Sequence, residues 1–348
     1  MPHRNVPIFI PHMGCPHTCV FCNQRSISGH HAFRLEDVTR EIEAALSTIP
    51  TGTDTEIAFF GGSFTGIDRD LMVELLELAE RYVRAGRVSS IRLSTRPDYI
   101  SQEILEILSR YSVKTIELGL QSMNDNVLLA AGRGHSAACA AQACRAVVRA
   151  GFSLVGQMMI GLPGATLTDE IETAKQICKL GASAARIYPT VVFYDTPLCE
   201  MTRAGRYLPL SLREAVERSA AVLRIFTAHG VPCIRIGLCA GEGLSSPETV
   251  MAGPNHAALG ELVLGELYYE KLIDALNASG LLGREVLLQL PAREISKYVG
   301  QHRVNLERLL RETNTRVVKT VGKQNLCEPC PILWQGAHGQ QEEEQPCI

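Results

Sequence analysis

The 348-residue chain has no run of roughly 18 apolar residues, so no helix is expected to cross a membrane. Its opening residues hold no long apolar core, so no secretory signal is expected. Net charge is only −3, and the overall basic signature of a nucleic-acid-binding chain is missing. Near its first cysteine cluster there is no second close pair, whereas zinc motifs usually come as two separated pairs. The expected setting is a reducing, cytoplasmic interior, where clustered cysteines serve metals or catalysis more often than disulfides.

Hydrophobic residues, by contrast, make up 46% of the chain, enough for a substantial core, and there are twelve cysteines. Cys15, Cys19 and Cys22 stand in the spacing C-x3-C-x2-C. Three thiolates on one short loop suit an iron–sulfur cluster. A four-iron cubane held by three cysteines leaves one iron without a protein ligand, and an open metal position is where chemistry happens. The alternatives are a zinc site completed by a distant histidine, or three unrelated buried thiols. Phe21 is placed to shield a cluster from water, while His12 and His17 flank the loop as surface or structural residues. The isolated Cys139, Cys144, Cys178, Cys199, Cys233 and Cys239 read as buried small apolar residues.

Short apolar runs alternate with longer amphipathic stretches. Strands are expected at 6–10, 56–60, 88–93, 113–118, 153–160, 184–192 and, more briefly, 231–236, with helices between them. Repeated strand–helix units imply a parallel sheet with right-handed crossovers. Six such units in the first 240 residues fit an α/β fold of the partial (β/α)6, TIM-like barrel type, with an open doubly wound sheet as the alternative. In barrels of this kind the strands' C-terminal ends carry the site.

The polar and glycine groups fall at those ends. Gly61 and Gly62 follow the second strand and would let a ligand approach the backbone closely. Ser94 could bond ribose hydroxyls, and Arg96 could pair bidentately with a carboxylate. Glu117, in an apolar strand, is costly to bury unless paired, so it should face the barrel mouth or meet an arginine. Gln157 is a polar group inside an otherwise apolar strand.

The cysteine spacing resembles that of the radical S-adenosylmethionine superfamily. Ile57-Ala-Phe-Phe-Gly-Gly-Ser-Phe64, Ser94-Thr-Arg-Pro-Asp98, Glu117-Leu-Gly-Leu-Gln-Ser122 and Arg186-Ile-Tyr-Pro-Thr190 resemble the radical domain of the Elongator catalytic subunit and its bacterial relatives, over about residues 4–270. The resemblance implies a [4Fe–4S] cluster on Cys15, Cys19 and Cys22, with S-adenosylmethionine on the open iron. It assigns the methionyl amine to Gly61 and Gly62, the methionyl carboxylate to Arg133, and polar contacts to Gln121 and Gln157. Ser63 departs from the acidic residue that many members carry. The implied activity is reductive cleavage of S-adenosylmethionine to a 5′-deoxyadenosyl radical that abstracts hydrogen from a substrate, with a reducing protein as electron donor and tRNA or another RNA as substrate. A small metabolite or porphyrin-like substrate is the second reading, and a non-catalytic cluster-bearing RNA-binding or regulatory protein the third.

Only 68 residues follow residue 280, too few for the acetyltransferase domain of the Elongator subunit, so acetyl transfer is not expected. The expected organisation is a barrel over 1–240, a post-barrel segment over 241–280, a small basic α/β module over 281–325 and a flexible acidic tail over 326–348. The module reads strand, helix, turn, helix, strand, and its Gly300-Gln-His-Arg303 loop resembles the G-x-x-G loop of a KH module without the second glycine. Residues 284–323 carry nine Lys or Arg and four Asp or Glu, a basic balance that could attract phosphates or simply cover a solvated face. Cys327, Cys330, His338 and Cys347 could bind a second metal or lie in a loose tail.

Overall fold

The computed structural model describes residues 3–10, 15, 19–22, 34–238 and 248–334. His12, His17, Cys239, His338 and Cys347 lie outside the described residues. The chain divides into two compact units, Met1–Leu259 and Gly260–Ile348.

In the first unit, β1 (His3–Ile10), β2 (Asp54–Gly61), β3 (Ser90–Thr95), β4 (Val113–Gln121), β5 (Ser153–Ile160), β6 (Ala184–Pro189) and β8 (Cys233–Ile236) form one parallel sheet, in that order. Each strand therefore pairs with its predecessor in the sheet. A doubly wound sheet must reverse its strand order at a switch point. No reversal occurs here, and the sheet curls into an open half-barrel. The connecting helices are α1 (Leu35–Ser47), α2 (Arg69–Arg84), α3 (Gln102–Leu108), α4 (Asp125–Ala130), α5 (Ala137–Arg149), α6 (Leu167–Lys179), α7 (Pro197–Arg203) and α8 (Leu212–Ala228). Side-chain caps start several of them. Asp68 accepts from the amides of Asp70 and Leu71, while Thr166 and Ser211 form capping boxes with Asp169 and Glu214.

Alternation along the strands sorts the two faces. Val6, Ile8, Ile10, Ile57, Phe59, Ile91, Leu93, Ile116, Leu118, Met158 and Ile187 are buried on the convex side, under the helices. Gly156 is needed there, because a Cβ would sit 2.6 Å from Ile177 on α6. Residues of the opposite parity line the concave side.

Three local expectations change. The run expected as one strand over 184–192 stops at Pro189, which cannot donate to the ladder. The chain then makes a separate two-residue strand, β7 (Val192–Phe193), antiparallel to β9 (Val250–Ala252). The strand expected at 88–93 lies at Ser90–Thr95, carrying Ser94 inside the sheet. Among the isolated cysteines, Cys144 and Cys199 are buried, but Cys139, Cys178 and Cys233 are only half-buried. Burial pushes the Cys144 thiol up to about 12 and that of Cys233 to about 11.

In the second unit, β10 (Glu285–Pro291) pairs parallel with β11 (Arg316–Lys323) and antiparallel with β12 (Cys330–Leu333). The start of the expected loose tail is thus a sheet strand. The helices are α9 (Leu259–Ala278), α10 (Ile295–Val299) and α11 (Val304–Thr313). Tyr268, Tyr269, Leu272 and Leu276 of α9 share a core with Val286, Leu288, Leu290, Tyr298, Leu306 and Leu309. For this reason the division of the chain falls inside the segment 241–280 that was expected as one piece. In the loop, Gly300 has φ +76°, and His302 and Arg303 follow at +52° and +64°. Arg303, standing where a G-x-x-G loop has its second glycine, takes the left-handed backbone that glycine adopts at no steric cost.

Tyr298 is fully buried, its ring edge-on to Tyr268 at 4.7 Å between centroids. Tyr298→Ala is expected to cost the second unit about 3–5 kcal/mol. Urea denaturation of the full chain, followed by circular dichroism, should show an earlier transition than the parent.

Candidate active site

The cysteine loop follows β1 and is clipped into the first unit by backbone bonds. Cys22 N donates to Cys19 O at 3.0 Å, Val20 N to Ala131 O at 3.1 Å, and Leu198 N to Val20 O at 2.8 Å. Ala131 ends the helix after β4 and Leu198 begins the helix after β6, so the loop sits at the strands' C-terminal ends. Phe21 packs against apolar groups on both sides, Met159 and Leu162 on one and Val192 and Leu198 on the other. Cys19 is buried, while Cys15 and Cys22 are half-buried.

Two buried guanidiniums meet Cys19. Arg133 Nη1 lies 3.4 Å and Arg96 Nη1 3.9 Å from its sulfur. Arg96 does find the bidentate carboxylate expected of it, but within its own loop: Nε and Nη2 donate to Asp98 Oδ1 and Oδ2, each at 2.9 Å. Arg96 Nη2 also donates to the Arg133 carbonyl, and Arg133 Nη2 to the Gly119 carbonyl. Burial pushes the Cys15 thiol up, and the Arg96 guanidinium works against that rise. Cations beside a thiol favour thiolate, the form that ligates metal. Among the described residues no three His, Cys, Asp or Glu side chains form a ready single-ion shell. The fit to a cluster therefore rests on three thiol donors and the cations set against one of them.

Beside this pair lie three buried polar atoms without a partner: Gln121 Oε1, Arg133 Nε and His135 Nε2. Gln121 also has φ +67°, where β4 bulges between Gly119 and Gln121. A left-handed glutamine with an unmet buried acceptor is costly, and such costs concentrate at functional sites. This group fits a polar ligand at the barrel mouth.

Gly61, at φ +104°, is required by packing: a Cβ would lie 2.1 Å from the Ile10 carbonyl. Gly62 N donates to the same carbonyl at 3.4 Å. Ser63 is buried and structural, with Oγ accepting from Arg96 N at 3.1 Å and lying 2.8 Å from Thr95 Oγ1. Ser94 and Gln157 are half-buried on the concave face.

Glu117 does meet arginine, twice over. Its Oε1 accepts from Arg92 Nη1 and Arg186 Nη2, both at 2.9 Å. Arg92 Nε also donates to Glu56 Oε2 at 2.9 Å, and Ser90 Oγ to Glu56 Oε1 at 2.7 Å. A ladder of two carboxylates and two guanidiniums thus crosses the inner face from β2 to β6. The partners Glu56 and Arg92 escaped the sequence reading, although Arg92 in Ile91-Arg-Leu93 carries the signal that exposed Glu117, a charge in an apolar strand. Buried Glu170 was missed as well. It accepts from Gly161 N at 2.7 Å and from Arg218 Nε at 2.7 Å, which fixes the turn after β5. Burial raises the Glu170 carboxyl, opposed by the Arg218 hydrogen bonds.

The sequence matches the Radical SAM superfamily over residues 9–177 and the Radical_SAM C-terminal domain over 182–269. It is 27% identical over 254 residues to the uncharacterized protein MJ0486 of Methanocaldococcus jannaschii, covering 70% of this chain and 76% of that protein. It is 28% identical over 134 residues to a tRNA uridine(34) acetyltransferase of Methanocaldococcus infernus, covering 38% of this chain but only 25% of that protein. The fold is similar to that of the archaeal Methanocaldococcus infernus Elp3 with its N-terminus deleted, at a TM-score of 0.57 and 19% identity, covering 81% of this chain and 66% of that one.

His135 offers a pH test of this region. Burial, and next the Arg133 guanidinium, push its pKa down to about 4. The unfolded chain takes up that proton near 6.5. Stability is therefore complete above pH 6.5 and falls as pH drops from there toward 4, by on the order of 2 kcal/mol at pH 5 from this residue. In urea titrations at pH 7.5 and 5, His135→Gln should lose correspondingly less than the parent.

Proposed function

We propose that this chain, which belongs to the radical S-adenosylmethionine superfamily, acts on a nucleoside of RNA, with tRNA as the substrate class. Enzymes of this superfamily use a [4Fe–4S] cluster and S-adenosylmethionine, which when bound supply a carbon-centred radical able to remove a hydrogen atom from a substrate. In this reading Cys15, Cys19 and Cys22 hold the cluster, and Arg96 and Arg133 balance its negative charge through Cys19. Gln121 Oε1 and Arg133 Nε, unmet and buried, face the methionyl end of the cofactor. The backbone at Gly62 and the half-buried Ser94 and Gln157 contact the rest. Arg96, locked to Asp98, orients the loop. The barrel wall orients the cofactor and keeps water out. A reducing protein donates the electron.

One observation carries the enzymatic reading: two buried guanidiniums converge on Cys19 beside unmet polar atoms, at the C-terminal ends of the strands. The RNA reading has separate support. One relative is named for a tRNA uridine. Residues 284–323 are basic within an acidic chain, and Arg303, Arg316, Lys319 and Lys323 there are exposed. Such a surface attracts phosphates.

Two measurements test it. The anaerobically reconstituted protein, given reductant and S-adenosylmethionine, should release 5′-deoxyadenosine or a methionine-derived product, and Cys19→Ala should release none. A full cluster without cleavage overturns the enzymatic reading. Total tRNA from cells with and without the gene should differ in one modified nucleoside; identical profiles overturn the RNA reading.

A further inference from the structure

The concave face carries a second set of groups that the cluster and S-adenosylmethionine do not use. Phe9 on β1 is paired in register with Phe60 on β2, and their rings lie 6.2 Å apart at 43°. Phe9 is 51% exposed, an unusual state for an aromatic residue in a strand whose alternate residues are fully buried. Across the lumen, Arg186 lies over the Phe60 ring, 5.3 Å from its centroid. Arg186 Nη2 donates to Glu117 Oε1 at 2.9 Å and Nη1 to the Tyr188 hydroxyl at 3.1 Å, so its plane is fixed. Strand register places these residues on one face. Ala58 pairs with Arg92 and Ser94 with Glu117, while Gln157 pairs with Arg186 and Met159 with Tyr188.

Charge selects among the ligands that could enter. Glu56 and Glu117 are matched by Arg92 and Arg186, so the guanidinium that touches the Phe60 ring is already paired with a carboxylate. A phosphate or a polycarboxylate laid on that ring would lose its hydration against a guanidinium already neutralised by Glu117. A flat, neutral, hydrogen-bonding ring meets an aromatic face and a fixed set of polar groups, the combination by which proteins hold single unstacked bases.

We propose that exposed Phe9, backed by Phe60, forms the wall on which an extruded nucleobase of the substrate RNA stacks, with Arg186 and Tyr188 facing its polar edge. This rests on the RNA reading above and adds where the base goes. Glu117 acts as a positioning residue that holds the Arg186 plane. Arg186 and Tyr188 are thereby specificity-determining groups.

The test uses the full chain with Phe9→Trp as a reporter and Trp334, its one native tryptophan, changed to Phe. A single-stranded oligoribonucleotide should quench the emission, and an abasic oligomer of the same length should not. Phe9→Leu should form about tenfold less modified nucleoside per tRNA, the scale of a lost base–aromatic stack. Equal behaviour of the two oligomers, with RNA binding intact by anisotropy, overturns the stacking wall and leaves the RNA reading standing. Undiminished modification by Phe9→Leu has the same meaning. A parent protein that neither binds the oligomer nor modifies tRNA overturns the RNA reading and this assignment together.

Discussion

A parallel sheet must cover both of its faces, and the two covers here differ in kind. The convex side is closed by apolar packing under helices. The concave side is crossed by matched charges, Glu56 to Arg92 to Glu117 to Arg186, strand to strand. Burying ions is tolerable only when each meets its partner with good geometry, so these four positions tie the curvature and register of the half-barrel together. Removing Glu117 would take from Arg186 the carboxylate it is paired with. The face above the ladder inherits its rigidity, because Ser94 shares a strand with Arg92 and Gln157 is paired in register with Arg186.

The rim of the barrel follows a different rule. Polar groups there are held in costly states: Gln121 in left-handed backbone, Arg133 with one nitrogen unmet, His135 kept neutral by burial. The surrounding structure supports them through many small bonds, such as the Asp98 fork on Arg96. A stable floor and an expensive rim together make a vessel that is firm below and chemically unsatisfied above.

Much of this was legible in the sequence, and the reasons differ from place to place. Strands and helices showed because apolar spacing changes period between them. The cysteine loop showed because three rare residues crowd into eight positions. The strand ends showed because glycine and polar residues interrupt apolar runs. What stayed hidden was pairing at a distance. Nothing local announces that Arg133 turns to Cys19, or that Arg96 spends its fork on Asp98. Pro189 breaking the sixth strand was readable from its missing N–H, as was Arg92, whose apolar neighbours repeat the pattern around Glu117. In the second unit the element order was legible. The strand Cys330–Leu333 was not, because its stability comes from the edge of β10 rather than from its own composition.

The clip that holds the cysteine loop has a consequence in time. Cys19 and Arg133 are 114 residues apart, so at a synthesis rate of ~5–20 residues per second the thiols are made roughly ten seconds before their cationic neighbour exists. Val20 is likewise waiting for Ala131 and Leu198. During that interval the nascent chain displays bare cysteines with no barrel mouth around them. The order of manufacture thus separates the making of the three thiols from the making of the pocket that buries Cys19.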